Sequence, residues 1–136
     1  MQDHIERLRP AAALIARLTL GSIMLAHGWN KVIPHGSLYA FAHTIAKMGL
    51  PYWLGYVAAF TEFFGGIALI VGVLTPIAAA GIAIDMAVAI LKVHLHHGLT
   101  ASGGIEFPLA LFALALLLLA DGPGYLAVDR VVFRSS

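Results

Sequence analysis

Six charged side chains lie inside long apolar stretches of this chain or at the ends of those stretches. A charge at the centre of a lipid bilayer costs roughly 2.5 to 3.5 kcal/mol on insertion scales. We therefore expect these groups to face one another or a polar cavity, where they could transfer protons or bind a polar ligand. The six residues are Arg17, Lys31, Glu62, Asp85, Lys92 and Glu106.

Basic groups share one face of the first apolar stretch. Arg17, His27 and Lys31 fall within roughly an 80° arc at helical spacing. His27 could donate a proton and Lys31 could stabilise a negative oxygen, so both are candidate catalytic residues. Arg17 lies deeper, and we interpret it as the structural ion-pair partner of a buried acid. Trp29 is a candidate substrate contact, although tryptophan at a membrane interface is usually an anchor.

Acids and further bases come from the other three stretches. Glu62 lies near the middle of the second, and Glu106 near the outer end of the fourth. On the third, Asp85, Lys92 and His96 lie within about 40° of one line. The pattern predicts a polar pocket that opens to the outer side, with Glu62 and Asp85 at its floor and Arg17 as a further candidate there.

Structural interpretations remain open for the same residues. Lys31 and Lys92 are close enough to helix ends for their ammonium groups to snorkel to the interface. Glu62 and Asp85 are too deep for that, but they could serve as members of a structural ion pair.

Composition narrows the class of protein. The 136-residue chain is 60% hydrophobic and 11% charged, and its net charge of +1 provides no basic face for nucleic acid. It has no cysteine, which excludes disulfides and Cys-ligated clusters within this polypeptide. His94, His96 and His97 suggest a metal site, but helical spacing points His94 and His96 to opposite faces, and we assign no metal.

The apolar stretches predict an all-α integral membrane four-helix bundle. A spanning helix needs about 20 mostly apolar residues, and the four stretches run from about 11–33, 52–74, 76–97 and 104–120. Leu38, Phe41, Ile45 and Met48 share one side of a short helix between the first two, which predicts an amphipathic helix in the membrane interface. We expect one domain, 1–136.

Basic residues in the flanks indicate the orientation. Arg7, Arg9, Arg130 and Arg134 lie near the two termini. By the positive-inside rule both termini are expected on the cytoplasmic side of a bacterial-type inner membrane.

The ordered set of these motifs resembles the DoxX family of small four-helix membrane proteins. The matching motifs are Arg17-x3-Gly21, His27-Gly28-x2-Lys31, Glu62-x2-Gly65-Gly66, Gly72, Thr75, Gly104-x-Glu106, Asp121-Gly-Pro-Gly124 and Asp129. The resemblance implies a link to membrane redox complexes, to quinone stress and to soluble oxidoreductase partners. The resemblance implies functional roles for His27, Lys31, Glu62 and Glu106. The roles of Asp85, Lys92 and His96 are instead inferred from their positions on one face of a helix.

Two classes of function follow. The first is a membrane subunit of a redox system, which binds a quinone-like or other small polar substrate and is not a complete enzyme alone. A quinone is the candidate cofactor, and the lipid bilayer, a soluble redox protein and further copies of the chain are the candidate partners. The alternative is a small oligomeric transporter, or a membrane scaffold or assembly factor for a redox enzyme.

Overall fold

The computed structural model describes residues 1–133, and helices make up the regular structure of that part of the chain. A long first helix is followed by a short one, by two more helices joined through a tight turn, and by two helices at the C-terminal end. In order they are α1 (Gln2–Val32), α2 (Ser37–Lys47), α3 (Tyr52–Val71), α4 (Thr75–Ala89), α5 (Glu106–Asp121) and α6 (Val128–Val132).

The helix after α4 changes its winding before it ends. Residues Ile90–His94 form a π-helical turn, and residues Leu95–His97 form a 3₁₀ turn. Together with α4 they make one continuous helical segment, Thr75–His97. A π turn takes more residues per turn than an α-helix. The side chains that follow it therefore point in a different direction around the helix axis than they would in a regular α-helix.

Three of the described helices are long and apolar enough to cross a membrane: Gln2–Val32, Tyr52–Val71 and Thr75–His97. The fourth predicted span corresponds to α5, whose 16 residues extend about 24 Å at 1.5 Å per residue. The hydrocarbon core of a bilayer is about 30 Å thick. The prediction of membrane-spanning helices is therefore confirmed for three of them.

Two helix ends differ from the sequence expectation. Helix α1 begins at Gln2 rather than after Pro10, which lies within the helix. Helix α3 ends at Val71 rather than near residue 74, because Gly72 adopts a left-handed conformation with φ of 77°. The amides of Gly72 and Val73 both donate to the Ala68 carbonyl, which closes the helix end.

Close helix contacts hold the bundle together. Helix α1 packs along α3, and α4 packs along α5. A Cβ atom at Gly28 would lie 2.3 Å from the Phe63 backbone nitrogen, and one at Gly66 would lie 2.5 Å from that of Leu25. Small residues at such crossings let helix backbones approach in lipid.

A fully buried apolar layer occupies the middle of the bundle. Its largest members are Leu20 and Met24 of α1, Leu69 of α3, Ile82 of α4 and Leu118 of α5. These residues are at most 1% exposed, so the layer separates the two ends of the bundle.

The C-terminal segment closes one end. The Asp129 carboxylate accepts hydrogen bonds from the backbone amides of Leu74 (2.6 Å) and Thr75 (2.8 Å), at the start of α4. The Asp129 amide donates to the Gly72 carbonyl at 2.9 Å. Asp129 therefore caps α4 and holds the α3–α4 turn, including Leu74 at a φ of 50°.

Candidate functional site

Lys31 and Glu62 form an ion pair between α1 and α3. The Lys31 ammonium donates to Glu62 Oε2 at 2.5 Å. The Glu62 side chain is 6% exposed and that of Lys31 is 23% exposed. The ammonium also lies 4.5 Å from the centre of the Phe41 ring, on α2. A nearly buried charge pair thus connects α1 to α3.

Helix crossing brings this pair together. Gly28 precedes Lys31 by about one turn, and Phe63 follows Glu62 directly. Because Gly28 has no side chain, the two backbones meet at this point. The Lys31 side chain can then reach across to the carboxylate.

Asp85 of α4 joins the pair as its third ionisable group. Its carboxyl group interacts with Glu62 and, across the site, with Lys31. Its Oδ2 atom is buried and has no hydrogen-bond partner among the described residues. Two carboxyl groups and one ammonium therefore meet where α1, α3 and α4 converge, and we call these three residues the charge cluster.

The charge cluster lies in the wall of a cavity of about 260 Å³. Apart from these three groups the lining is mostly apolar, and α2 covers one side. The lining residues are Lys31, Phe41, Thr44, Ile45, Met48, Leu50, Leu54, Val57, Ala58, Thr61, Glu62, Gly81, Ile84, Asp85, Val88, Ala89, Val93 and His94. An apolar cavity with a few convergent polar groups is typical of a small-molecule site.

The π turn decides which residues of the third span reach this cavity. At regular spacing, Lys92 and His96 would follow Asp85 on one face. The structure instead lines the cavity with Val93 and His94, while Lys92 and His96 are exposed. The wider turn rotates the helix by about one residue. Sequence periodicity alone does not reveal such a turn. A prediction from regular helical spacing therefore does not place His94 in the cavity wall.

The predicted residues of the α1–α5 side lie outside this cavity. His27 is exposed, and its ring centre is 5.7 Å from that of Phe107 on α5. Glu106, the first residue of α5, is also exposed. Trp29 is 51% exposed and its ring centre is 6.1 Å from that of Phe63. None of the three is among the described lining residues.

Arg17 lies at the other end of the bundle, away from the charge cluster. It is fully buried, and its Nη2 donates to the carbonyl oxygens of Tyr125 (2.9 Å) and Leu126 (3.0 Å). It also interacts electrostatically with Asp129. Nε and Nη1 have no partner among the described residues. The hydrogen bonds of Arg17 thus connect α1 to the C-terminal segment.

The residues that sequence reasoning missed come mainly from α2. Phe41, Ile45 and Met48 belong to the apolar stripe of the predicted amphipathic helix, and Thr44 lies beside it. All four line the cavity. The stripe was recognisable, but sequence gives no means of telling whether it faces lipid or a cavity. Within residues 1–133, no three His, Asp or Glu side chains are grouped so that they could hold a metal ion.

Comparison with known proteins identifies related membrane proteins. The model of the DoxX family matches residues 12–95. "Putative oxidoreductase CatD" of Bacillus subtilis (strain 168) is 31% identical over 122 residues, which cover 89% of this chain and 87% of that protein. "Inner membrane protein YqjF" of Escherichia coli (strain K12) is 25% identical over 139 residues, covering 94% of this chain and 97% of that protein. No solved structure matches the chain.

Proposed function

The chain belongs to the DoxX family of membrane proteins, and on that premise we propose that it is the membrane subunit of a redox system and binds a quinone-like head group in the cavity beside Lys31, Glu62 and Asp85. The observation that carries the proposal is the charge cluster in the wall of an otherwise apolar cavity. The oxidoreductase name of the Bacillus subtilis relative supports the redox assignment.

The size of the cavity fits one substituted ring. An engineered apolar cavity of about 150 Å³ binds benzene, and this one measures about 260 Å³. The additional volume leaves room for several small substituents on the ring. An isoprenoid tail would have to leave through the open side, toward lipid.

The charge cluster supplies the chemistry that a quinone needs. Reduction of a quinone places negative charge on its oxygens, and a nearby ammonium such as that of Lys31 stabilises that charge. The carboxyl groups of Glu62 and Asp85 lie in the same cavity wall as this ammonium, and we propose that the pair shares a proton that it can give to the ligand.

Electrons have to come from outside the polypeptide. The chain has no cysteine for an iron–sulfur cluster, and a soluble oxidoreductase partner is the source we propose. The roles predicted for His27, Glu106, Lys92, His96 and Trp29 stay predictions, and the mechanism above does not use them.

We propose that α5 is a fourth membrane span and that both termini are cytoplasmic. Arg17 and Asp129 connect the N-terminal half of α1, the α3–α4 turn and the C-terminal segment at one end of the bundle. Arg7, Arg9 and Arg130 lie at the same end, as the positive-inside rule requires of a cytoplasmic face. A span of 16 residues can be accommodated by local thinning of the bilayer. Helix α2 then lies at the outer interface of a bacterial-type inner membrane.

Binding of decylubiquinone to the purified protein tests this function. We expect Glu62→Gln and Lys31→Met each to raise the Kd at least about tenfold, or about 1.4 kcal/mol, because each removes one charge of the buried pair. The matched control is Lys47→Met, which removes an exposed lysine of α2 outside the cavity. Calorimetric titration in mild detergent measures all three against the unsubstituted protein.

Two results would contradict the proposal: an unsubstituted protein that does not bind the quinone, or a Kd that the cavity variants leave unchanged. In that case, solute flux in liposomes and capture of a stoichiometric partner without ligand would distinguish transport from a scaffold role.

A further inference from the structure

His94 is the one ionisable group of the cavity wall, among the described residues, that lies outside the charge cluster. It ends the π turn, at the end of the cavity that adjoins the α4–α5 loop. Its Nδ1 lies 2.6 Å from the carbonyl oxygen of Gly103 in that loop. The side chain is half-buried, between the cavity and the exposed loop.

The Gly103 contact determines the tautomer of the imidazole. A carbonyl oxygen can only accept a hydrogen bond, so Nδ1 must carry a proton and donate it. In neutral His94 the other ring nitrogen, Nε2, is then unprotonated. This nitrogen has a free lone pair and can accept a proton.

Distance excludes direct transfer from His94 to Asp85. Nine residues separate them, which corresponds to roughly 13 Å along a helix at 1.5 Å per residue. Water that is hydrogen-bonded to polar groups of the wall, which include Thr44 and Thr61, can bridge this distance, and the cavity of about 260 Å³ has room for about eight molecules at about 30 Å³ each. A chain of about five hydrogen-bonded waters, spaced about 2.8 Å apart, is sufficient.

The opposite end of the bundle provides no alternative route. Beyond the charge cluster lies the buried layer that includes Leu20, Met24, Leu69 and Ile82. These side chains carry no group that can pass a proton on. Protons of the cluster therefore do not exchange through that end of the bundle.

We propose that His94 transfers protons between water at the loop end of the cavity and the Glu62–Asp85 carboxyl pair. His94 Nε2 takes a proton from outside water and gives it to the first cavity water. The last water of the chain gives a proton to the carboxyl pair, and the reverse sequence releases it. One proton moves and no electron does. The inference rests on the carboxyl pair of the proposed function, but it does not depend on what ligand binds there.

The charged surroundings of His94 are compatible with this role. The ionisable groups with which it shares the cavity wall are Lys31 of α1, Glu62 of α3 and Asp85 of α4. Helix α2 lines the cavity with Phe41, Thr44 and Ile45, and Met48 directly follows this helix; none of the four is ionisable. On the same helical segment as His94, the side chains of Lys92, His96 and His97 are exposed. His94 thus differs from its neighbouring histidines in lining the cavity.

Deuterium exchange of the protonated carboxyl group tests the inference without any ligand. Infrared spectroscopy follows the carboxylic C=O band of the full chain in lipid after a switch to D₂O, and the loss of this band in Asp85→Asn or Glu62→Gln assigns it to the pair. We expect His94→Gln to slow the exchange roughly 100-fold, the lower end of what a positioned proton-transfer group contributes. His96→Gln, two residues along the chain, should exchange at the unsubstituted rate.

A rescue variant separates proton transfer from packing. His94→Glu retains a titratable group at the same place and should restore most of the rate. Exchange in His94→Gln as fast as in the unsubstituted protein, or a His94→Glu variant as slow as His94→Gln, would overturn the role of His94. A protein with no such band, or with a band that both acid variants retain, would instead refute the shared proton of the proposed function.

Discussion

At the scale of single residues, Gly28 determines whether the charge cluster can form. A Cβ atom there would overlap the backbone of Phe63, whose nitrogen lies 2.3 Å away. Backbone cannot move aside as a flexible side chain can. A side chain at position 28 therefore separates α1 from α3, and Lys31 would lose its reach to Glu62.

The substitution Gly28→Ala tests this dependence. We expect the free energy of unfolding to fall by about 3 kcal/mol, the upper end of what overpacking costs, because the crossing has no room for a methyl group. Thermal unfolding in mild detergent measures the change. Gly81→Ala is the matched control, because its Cβ would meet Thr61 Cγ2 at 3.4 Å, an ordinary contact. Equal melting temperatures for the two variants would show that the crossing adapts.

Sequence could predict part of this site. Glu62 lies too deep in an apolar stretch to reach water, so a buried partner was expected, and Lys31 was among the candidates. The identity of the partner depends on which helices cross and at what angle. Spacing along one helix does not contain that information, and the partners of Arg17, the carbonyl groups of Tyr125 and Leu126, were for the same reason not predictable.

At the scale of secondary-structure elements, the π turn is the feature that periodicity cannot predict. The third span reads as a regular helix over 76–97, and regular phase points Lys92 and His96 toward Asp85. Because of one wider turn at Ile90–His94, the cavity wall contains Val93 and His94 instead of Lys92 and His96. Such turns occur frequently at functional sites, and this one places an imidazole in the wall.

The start of α4 depends on a carboxylate from the C-terminal segment. Replacing Asp129 by alanine leaves the amides of Leu74 and Thr75 without their acceptor, and it removes the acid that interacts with Arg17. We expect Asp129→Ala to lower the free energy of unfolding by about 1 to 2 kcal/mol or more. Thermal unfolding provides the measurement.

The control for Asp129 is another C-terminal acid. Asp121 pairs with Arg9 at the exposed surface, where ion pairs contribute little, so Asp121→Ala should unfold at nearly the same temperature as the unsubstituted protein. If Asp129→Ala were equally stable, the carboxylate would not be what holds the turn.

At the scale of the whole molecule, the bundle has two polar ends separated by an apolar layer. Arg17 and Asp129 lie at one end, and the charge cluster with its cavity at the other. Hydropathy predicted the three confirmed spans because apolar length is a property of the sequence itself. Position along each span also indicated the depth of each charge, but not which charges pair, since that requires knowing which helices meet at each depth.

Selective labelling tests which end faces outward. The chain has no cysteine, so a single introduced thiol gives a signal without background. We expect a membrane-impermeant maleimide to label His35→Cys, in the α1–α2 loop, in intact spheroplasts, and to label Gln2→Cys only after lysis. The reverse pattern would place the cavity on the cytoplasmic side. Labelling of both sites in intact spheroplasts would show that α1, the one helix between them, does not cross the membrane.

The contact between Arg17 and the C-terminal segment also has a consequence for the order of synthesis. The carbonyl partners of its guanidinium, at Tyr125 and Leu126, are made 108 and 109 residues later. The first helix therefore enters the membrane with a buried cation whose acceptors do not yet exist. The surroundings of Arg17 can therefore form only after the segment with Tyr125 and Leu126 has been synthesised, so that this part of the fold has to close after translation of the helices between them.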